Sequence, residues 1–251
     1  MTDGPAHDLP LVSFVIPVLN DARRLRLCLE TIACNHYPAD RVEVVVVDNG
    51  SVDGSAAIAM NAGATVLERP GLRVGDLRND GARAARGDIL AFVDADHEID
   101  PDWISSAVLA LREPSVAAVG APYHAPENGT WVQHAYDALR GRLPGRREVE
   151  WLGSGNLAVW QQAFDTHEGF DTTLETCEDV DLCRRLWQSG REVWYLPFME
   201  GCHLGGASSR HRPLASLLDH HRSMWAYCRK HRSRGCPAAV PGALLAASPG
   251  A

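Results

Sequence analysis

The sequence predicts an α/β fold, a Rossmann-like and mostly parallel sheet flanked by helices, in a single domain with a C-terminal helical tail. Three observations carry this. Short apolar runs recur without alternating in and out, as strands covered on both faces require. Helix-like patterns separate the runs, and polar residues gather where the runs end. Strand and helix alternating at this spacing belong to a doubly wound sheet, whose chemistry sits at the carboxyl ends of its strands.

The first run, LVSFVIPV (11–18), closes in Pro17 and is followed by Asn20-Asp21. ARRLRLCLETIA (22–33) then places Leu25, Leu29 and Ile32 on one helical face. VEVVVV (42–47) ends in DNGSVDG, Asp48 to Gly54, where Asp48 reads as a turn or a site residue and Asp53 as a helix cap. A weaker helix pattern covers 54–62, ahead of ATVLE (64–68). GDLRNDGARAARG (75–87) predicts the next helix and ILAFVD (89–94) the fourth strand. Pro101 opens a helix through DWISSAVLALRE, since a first-turn residue needs no intrahelical N–H bond, and VAAVGAPY (116–123) is the fifth run. The implied organisation is a tail at 1–10, a catalytic-type domain over 11–212, a basic helix over 213–234 and a flexible Ala/Pro-rich tail at 235–251.

Composition excludes several classes. A net charge of −8 and a pI near 5.7 argue against nucleic acid as a partner, which calls for a basic face. Seven scattered cysteines do not form a disulfide framework, and the polar start MTDGPAHDLP is not a signal peptide, so the expected location is cytoplasmic. Basic residues do cluster late. Arg210, Arg212, Arg222, Arg229, Lys230, Arg232 and Arg234 face a single acid, Asp219, and LASLLDHHRSMWAYCRKH mixes these cations with Leu217, Leu218, Trp225 and Tyr227. Such a helix either docks at the inner face of an anionic membrane as a peripheral contact or packs onto the domain.

The stretch AFVDADHEID crowds Asp94, Asp96, Glu98 and Asp100 within seven positions at a strand end, although each raises the cost of ionising the next. A helix-loop-helix calcium site fails, because its sixth and twelfth positions, a Gly and a Glu in such sites, are Ile99 and Ser105. An aspartyl phosphotransferase would place its nucleophile on an earlier strand. Neither G-x-x-x-x-G-K-[ST] nor G-x-G-x-x-G occurs, and a diphosphate without such a glycine cradle can be held through a metal ion gripped by carboxylates. Hard oxygen ligands suit Mg²⁺ or Mn²⁺. Asp94 and Asp96 are expected to differ in role, with Asp96, already in the loop, as ligand and Asp94 nearer the ribose or sugar.

SFVIPVLND, VVVVDNGSVDGS, LRNDGARAARGDILAFVDADHEIDPDWI, GSGNLAVWQQAFDTHEGFD and CEDVDLCRRLWQSG occur in the order and spacing of one family. Across roughly 11–205 the chain resembles the inverting glycosyltransferases of family 2, which have the GT-A fold. The resemblance implies a nucleoside diphosphate sugar as donor, a divalent cation and a glycan or lipid-linked acceptor. It puts Pro17, Asn20 and Asp48 by the nucleotide, Arg78 along the donor, and Asp94 with Asp96 in the metal-binding D-x-D. The family's acid pair matches Glu178-Asp179, with Asp179 the first choice of catalytic base and Glu178 the second. Its late His matches His203, either a metal ligand or a structural residue. EGFD carries Glu168 where the family often has a second glycine, so the acceptor loop differs there. HLGGASS resembles the rhamnosyltransferase-like branch, which implies a role in cell-envelope polysaccharide or glycolipid synthesis.

Other readings compete with these. Acids in a first helical turn are common as caps. Cys177, Cys183 and Cys202 near His203 raise a zinc site, but without a paired C-x-x-C they fit buried thiols better. Gly153 to Asn156 forms a tight loop on the acceptor side. A metal-dependent nucleotidyltransferase would want a glycine- and base-rich loop where VLNDARR stands, and a non-catalytic sugar-nucleotide module would not need both Asp96 and Asp179.

Overall fold

The computed structural model describes residues 9–231 except 122, 123, 132, 133, 136, 137, 139–144, 200 and 205–212, with backbone only at 213–217 and 220. The expected Ala/Pro-rich tail, most of the N-terminal tail, the GGASS segment and Arg210, Arg212, Arg232 and Arg234 lie outside the described residues.

The strands are β1 (Val12–Val18), β2 (Val42–Asp48), β3 (Thr65–Glu68), β4 (Ile89–Val93), β5 (His97–Ile99), β6 (Val116–Gly120), β7 (Arg147–Glu148), β8 (Asn156–Trp160), β9 (Glu192–Tyr195) and β10 (Gly201–His203). The helices are α1 (Ala22–Ala33), α2 (Ser55–Asn61), α3 (Val74–Ala84), α4 (Trp103–Leu111), α5 (Gln161–Thr166), α6 (Glu178–Gln188) and α7 (Pro213–Lys230). The main sheet runs β3-β2-β1-β4-β8-β6-β9-β7, and β5 pairs with β10 in a small antiparallel sheet.

The central strands are mainly apolar because they feed two cores. Phe14 and Ile16 of β1 pack with Leu25, Leu29, Ile32 and Trp103 on one side. Val15, between them in sequence, joins Val45, Val47, Leu90, Phe92, Phe164, Phe170 and Leu182 on the other. Gly81 lets α3 lie close on that second side, since a Cβ there would stand 2.4 Å from Val15 Cγ1. That approach brings Arg78, almost a turn earlier on α3, towards the strand ends.

β1 to β4 are mutually parallel, as the sequence predicts. β8 differs. It enters between β4 and β6 and runs antiparallel to both. A strand buried on both faces gives the same apolar run in either direction, so pattern does not reveal the reversal. Pro101 also lies in the turn before α4 rather than in its first turn, with Trp103 N–H bonded to the Asp100 carbonyl.

Candidate functional site

The loops after β1 and β2 lock onto each other. Asp48 is buried, and its Oδ1 accepts the N–H groups of Gly50 (2.9 Å) and Ser51 (2.7 Å). Asn20 adopts φ +51 and accepts the N–H of Val52 at 2.8 Å. Asp53, expected as a helix cap, instead precedes the Gly54 N-cap of α2, and it accepts the N–H groups of Ala22 (2.8 Å) and Ser55 (3.0 Å), the first residues of α1 and α2. Pro17 lacks a donor without penalty. The Val18 carbonyl accepts from Asn49 on the β2 side, so position 17 faces the β4 side, where the ladder has ended at Val15. Arg24 joins these loops to the acidic run, lying 2.7 Å from Asp21 and 4.0 Å from Asp96.

Asp94 and Asp96 part company. The Asp94 carboxylate accepts from Arg78 Nη2 at 2.6 Å, and Arg78 Nη1 donates to Glu178 Oε1 at 2.9 Å. Arg78 is only 4% exposed, so its guanidinium is a buried bridge between the end of β4 and the start of α6. Burial disfavours the cation, yet Asp94 and Glu178 outweigh it and raise the Arg78 pKa. Burial pushes the Glu178 carboxyl up to about 7, and neighbouring Asp179 adds to the rise while Arg78 opposes it. The ion pair alone would lower Glu178; desolvation of a nearly sealed carboxyl beside a second acid is the larger effect, so the upward direction stands.

Asp179 is half-buried. Its Oδ2 accepts the Ser154 N–H at 3.0 Å and its Oδ1 the Val180 N–H at 2.8 Å. The Ser154 hydroxyl reaches both acids, at 3.4 Å from Glu178 and 3.3 Å from Asp179. The 153–156 loop therefore meets the acid pair. Cys177, just before the pair, sits at φ +68 and turns the backbone into α6.

Asp96 belongs to a third group. His203 Nε2 lies 3.1 Å from its Oδ2 and His97 Nδ1 3.2 Å from its Oδ1. The two imidazoles stack at 4.8 Å, because the β5–β10 ladder sets His97 opposite His203. Burial raises the Asp96 pKa, but hydrogen bonds from His203 and His97 overcome it and hold the carboxyl well below the usual range. Ligand atoms of Asp96, His97 and His203 all fall within 4.8 Å of one another. A carboxylate that is already ionised and two imidazole nitrogens fit a first-row divalent ion such as Mn²⁺ better than Mg²⁺, which prefers oxygen throughout. Asp94, expected beside Asp96 as a ligand, has its carboxylate on Arg78 instead. Cys177, Cys183 and Cys202 form no such group among the described residues, and burial lifts the thiols of Cys177 to about 11 and Cys183 to about 12.

The predicted residues thus stand at the carboxyl ends of β1, β2 and β4 or on segments packed against them. Sequence reasoning missed His97, Ser154 and the bridging place of Arg78. The only signal for His97 was its adjacency to Asp96, and for Ser154 its place in the glycine-flanked loop.

Residues 13–165 match the family model described as glycosyl transferase family 2. The chain belongs to that family. Within and around it, the chain is 29% identical over 224 residues to glycosyltransferase AglE of Haloferax volcanii, covering 84% of this chain and 70% of AglE. It is 30% identical over 213 residues to the pre-mycofactocin glycosyltransferase of Mycobacterium tuberculosis, covering 80% of this chain but only 43% of that protein. Among solved structures, the mannosyltransferase PcManGT of Pyrobaculum calidifontis, in complex with GDP-Man and Mn²⁺, superposes with TM-score 0.70 at 22% identity. That match covers 91% of this chain and 66% of the mannosyltransferase. GalNAc-T7, with UDP, GalNAc and Mn²⁺, gives 0.63 at 17% identity over 79% of this chain and 44% of its own. These likenesses establish the GT-A fold for this family 2 chain. No helix among the described residues is long and apolar enough to cross a membrane.

Proposed function

We propose that this family 2 chain transfers a sugar from a nucleoside diphosphate sugar to an acceptor hydroxyl of a glycan or lipid-linked molecule, in a metal-dependent reaction that inverts the anomeric carbon. The observation that carries the reading is that two chemically distinct groups are joined to the carboxyl end of β4. One is the Asp96–His97–His203 cluster, and the other is the Glu178–Asp179 pair, tied to Asp94 through Arg78. The solved relatives' Mn²⁺ and nucleotide ligands support it.

In this reading Pro17, Asn20 and Asp48 border the nucleotide, and Asp96 with His203 would hold the divalent cation. The cation supplies positive charge for a departing diphosphate. Inversion needs a single displacement, so the acceptor hydroxyl gives up its proton as it attacks. Asp179 is the group to take it: its Oδ1 accepts the Val180 N–H and keeps lone-pair capacity, whereas Glu178 is sealed against Arg78. Arg78 orients Asp94 and Glu178 together. For a lipid-linked acceptor, Leu218 and Trp225, both more than half exposed on α7 beside Arg222 and Arg229, offer a peripheral membrane face. Vesicle co-sedimentation without preference for anionic lipid removes that part of the proposal.

The experiment is a thermal-shift panel of UDP-, GDP- and dTDP-sugars with and without Mn²⁺, because a ligand bound only to the folded state raises the melting point. One donor should stabilise the chain only with Mn²⁺, and Asp96→Asn should abolish the shift. Equal stabilisation in chelator, or by Asp96→Asn, counts against the metal role.

A further inference from the structure

The backbone leading into the acid pair is fixed from three sides. Asn79 of α3 accepts the Phe170 N–H (2.9 Å) and donates to its carbonyl (2.8 Å). Arg185 of α6 donates to the carbonyls of His167 and Gly169. The third side is closed by α7, from the far end of the chain. There Ser223, a residue only 4% exposed, accepts the N–H groups of both Glu175 and Thr176 on its hydroxyl oxygen at 3.1 Å. The next residue is the left-handed Cys177, and Glu178 and Asp179 follow. Farther along, Lys230 Nζ donates to Asp171 (2.6 Å) and lies 2.9 Å from Asp181. His231 Nε2 is 2.8 Å from the same Asp181 oxygen, and Asp181, fully buried two positions after Asp179, also accepts from Arg185 Nε at 2.7 Å.

We propose that α7 is a positioning element of the proposed acid pair, with Ser223, Lys230 and His231 setting where Glu178 and Asp179 stand without touching either substrate. The geometry concentrates their grip where the backbone most needs it. A non-glycine residue at positive φ persists only when its surroundings over-determine it, and Cys177 is clamped at 175–176 on one side and at 181 on the other. This chemistry assigns the buried face of the basic helix to the enzyme body. The inference rests on the proposed glycosyl transfer.

Its test uses the full chain with Ser223→Ala and Lys230→Met, which loosen the same segment through different contacts. Turnover is measured with whichever UDP-, GDP- or dTDP-sugar the unaltered chain uses, and donor-side binding with the matching nucleoside diphosphate plus Mn²⁺. Each variant should lose about tenfold in kcat, short of the ~100-fold that a 1 Å misplacement can cost. Nucleotide affinity should not change, and amide exchange should rise at 175–181 but not in β1–β4. Unchanged kcat in both variants overturns the proposal, as does a loss of kcat matched by a loss of nucleotide affinity, which is what general loosening gives. Should one variant fail to fold, the other carries the test. An unaltered chain that transfers no sugar counts against the functional reading instead, and amide exchange then still reports whether α7 holds the segment.

Discussion

The two halves of the site are built by opposite means. At the ends of β1 and β2, side chains bond backbone in their own or the adjoining loop: Asp48 to Gly50 and Ser51, Asn20 to Val52. The acid pair depends on partners far away in sequence. Arg78 is 100 positions from Glu178, Ser223 48 from Glu175, and His231 50 from Asp181. The proposed nucleotide side is thus held by two adjoining loops, with Asn20 bonding Val52 32 positions away, whereas the acids are placed by more distant segments that can be loosened with the other half intact.

The sharpest break in that contrast is Arg78→Met. It strands two carboxylates, one of them buried, and should cost about 3–5 kcal/mol in urea unfolding. A loss under about 1 kcal/mol means the bridge does not hold the acid side.

Glu178→Gln probes the same bridge through pH. The folded-state pKa of Glu178 is about 7, above its ordinary value of 4.5, so the folded chain binds the extra proton. Its ionisation therefore costs stability, absent below about pH 4.5 and complete above about pH 7. The Gln variant lacks this penalty. Its stability relative to the unaltered chain should improve by about 1–3 kcal/mol between pH 5 and 8, and parallel curves refute the assignment.

A smaller effect separates two neighbours in the loop after α5. Glu168 and Gly169 both adopt positive φ, at 62° and 63°. A Cβ on residue 169 would stand 2.7 Å from Asn79 Oδ1 and 2.9 Å from Phe164, so Gly169→Ala should cost about 1–3 kcal/mol. Glu168→Gly should shift stability by less than about 1 kcal/mol, as it trades backbone strain for unfolded-state entropy. Thermal denaturation that ranks the two the other way contradicts this account of the loop.

What the sequence disclosed follows the same division. The strands β1 to β4 and their polar ends were legible because an apolar run and the turn after it are local signals. The divergence expected of Asp94 and Asp96 is not one of strand alternation: β4 ends at Val93 and the His97 N–H bonds the Asp94 carbonyl in a turn, and it is this turn that sends the two carboxylates to different partners. The direction of β8 was hidden by two-sided burial. His97 carries no sequence signal beyond its place next to Asp96, because only the pairing of β5 with β10 sets it against His203. The burial of Arg78 beneath the acid pair, and the anchoring of α7 at Asp181, join segments whose patterns carry no trace of each other.

The central claim is that Asp179 acts on the acceptor while the Asp96 cluster serves the donor. Asp179→Asn, assayed with the donor and acceptor the unaltered chain uses, tests it most directly, with nucleotide binding measured in parallel and the product's anomeric configuration read by NMR. The account predicts an inverted product from the unaltered chain, and in the variant kcat lower by roughly 10² to 10⁴ with Mn²⁺-dependent nucleotide binding unchanged. Near-normal kcat in the variant, or a product that keeps the donor's configuration, would contradict it.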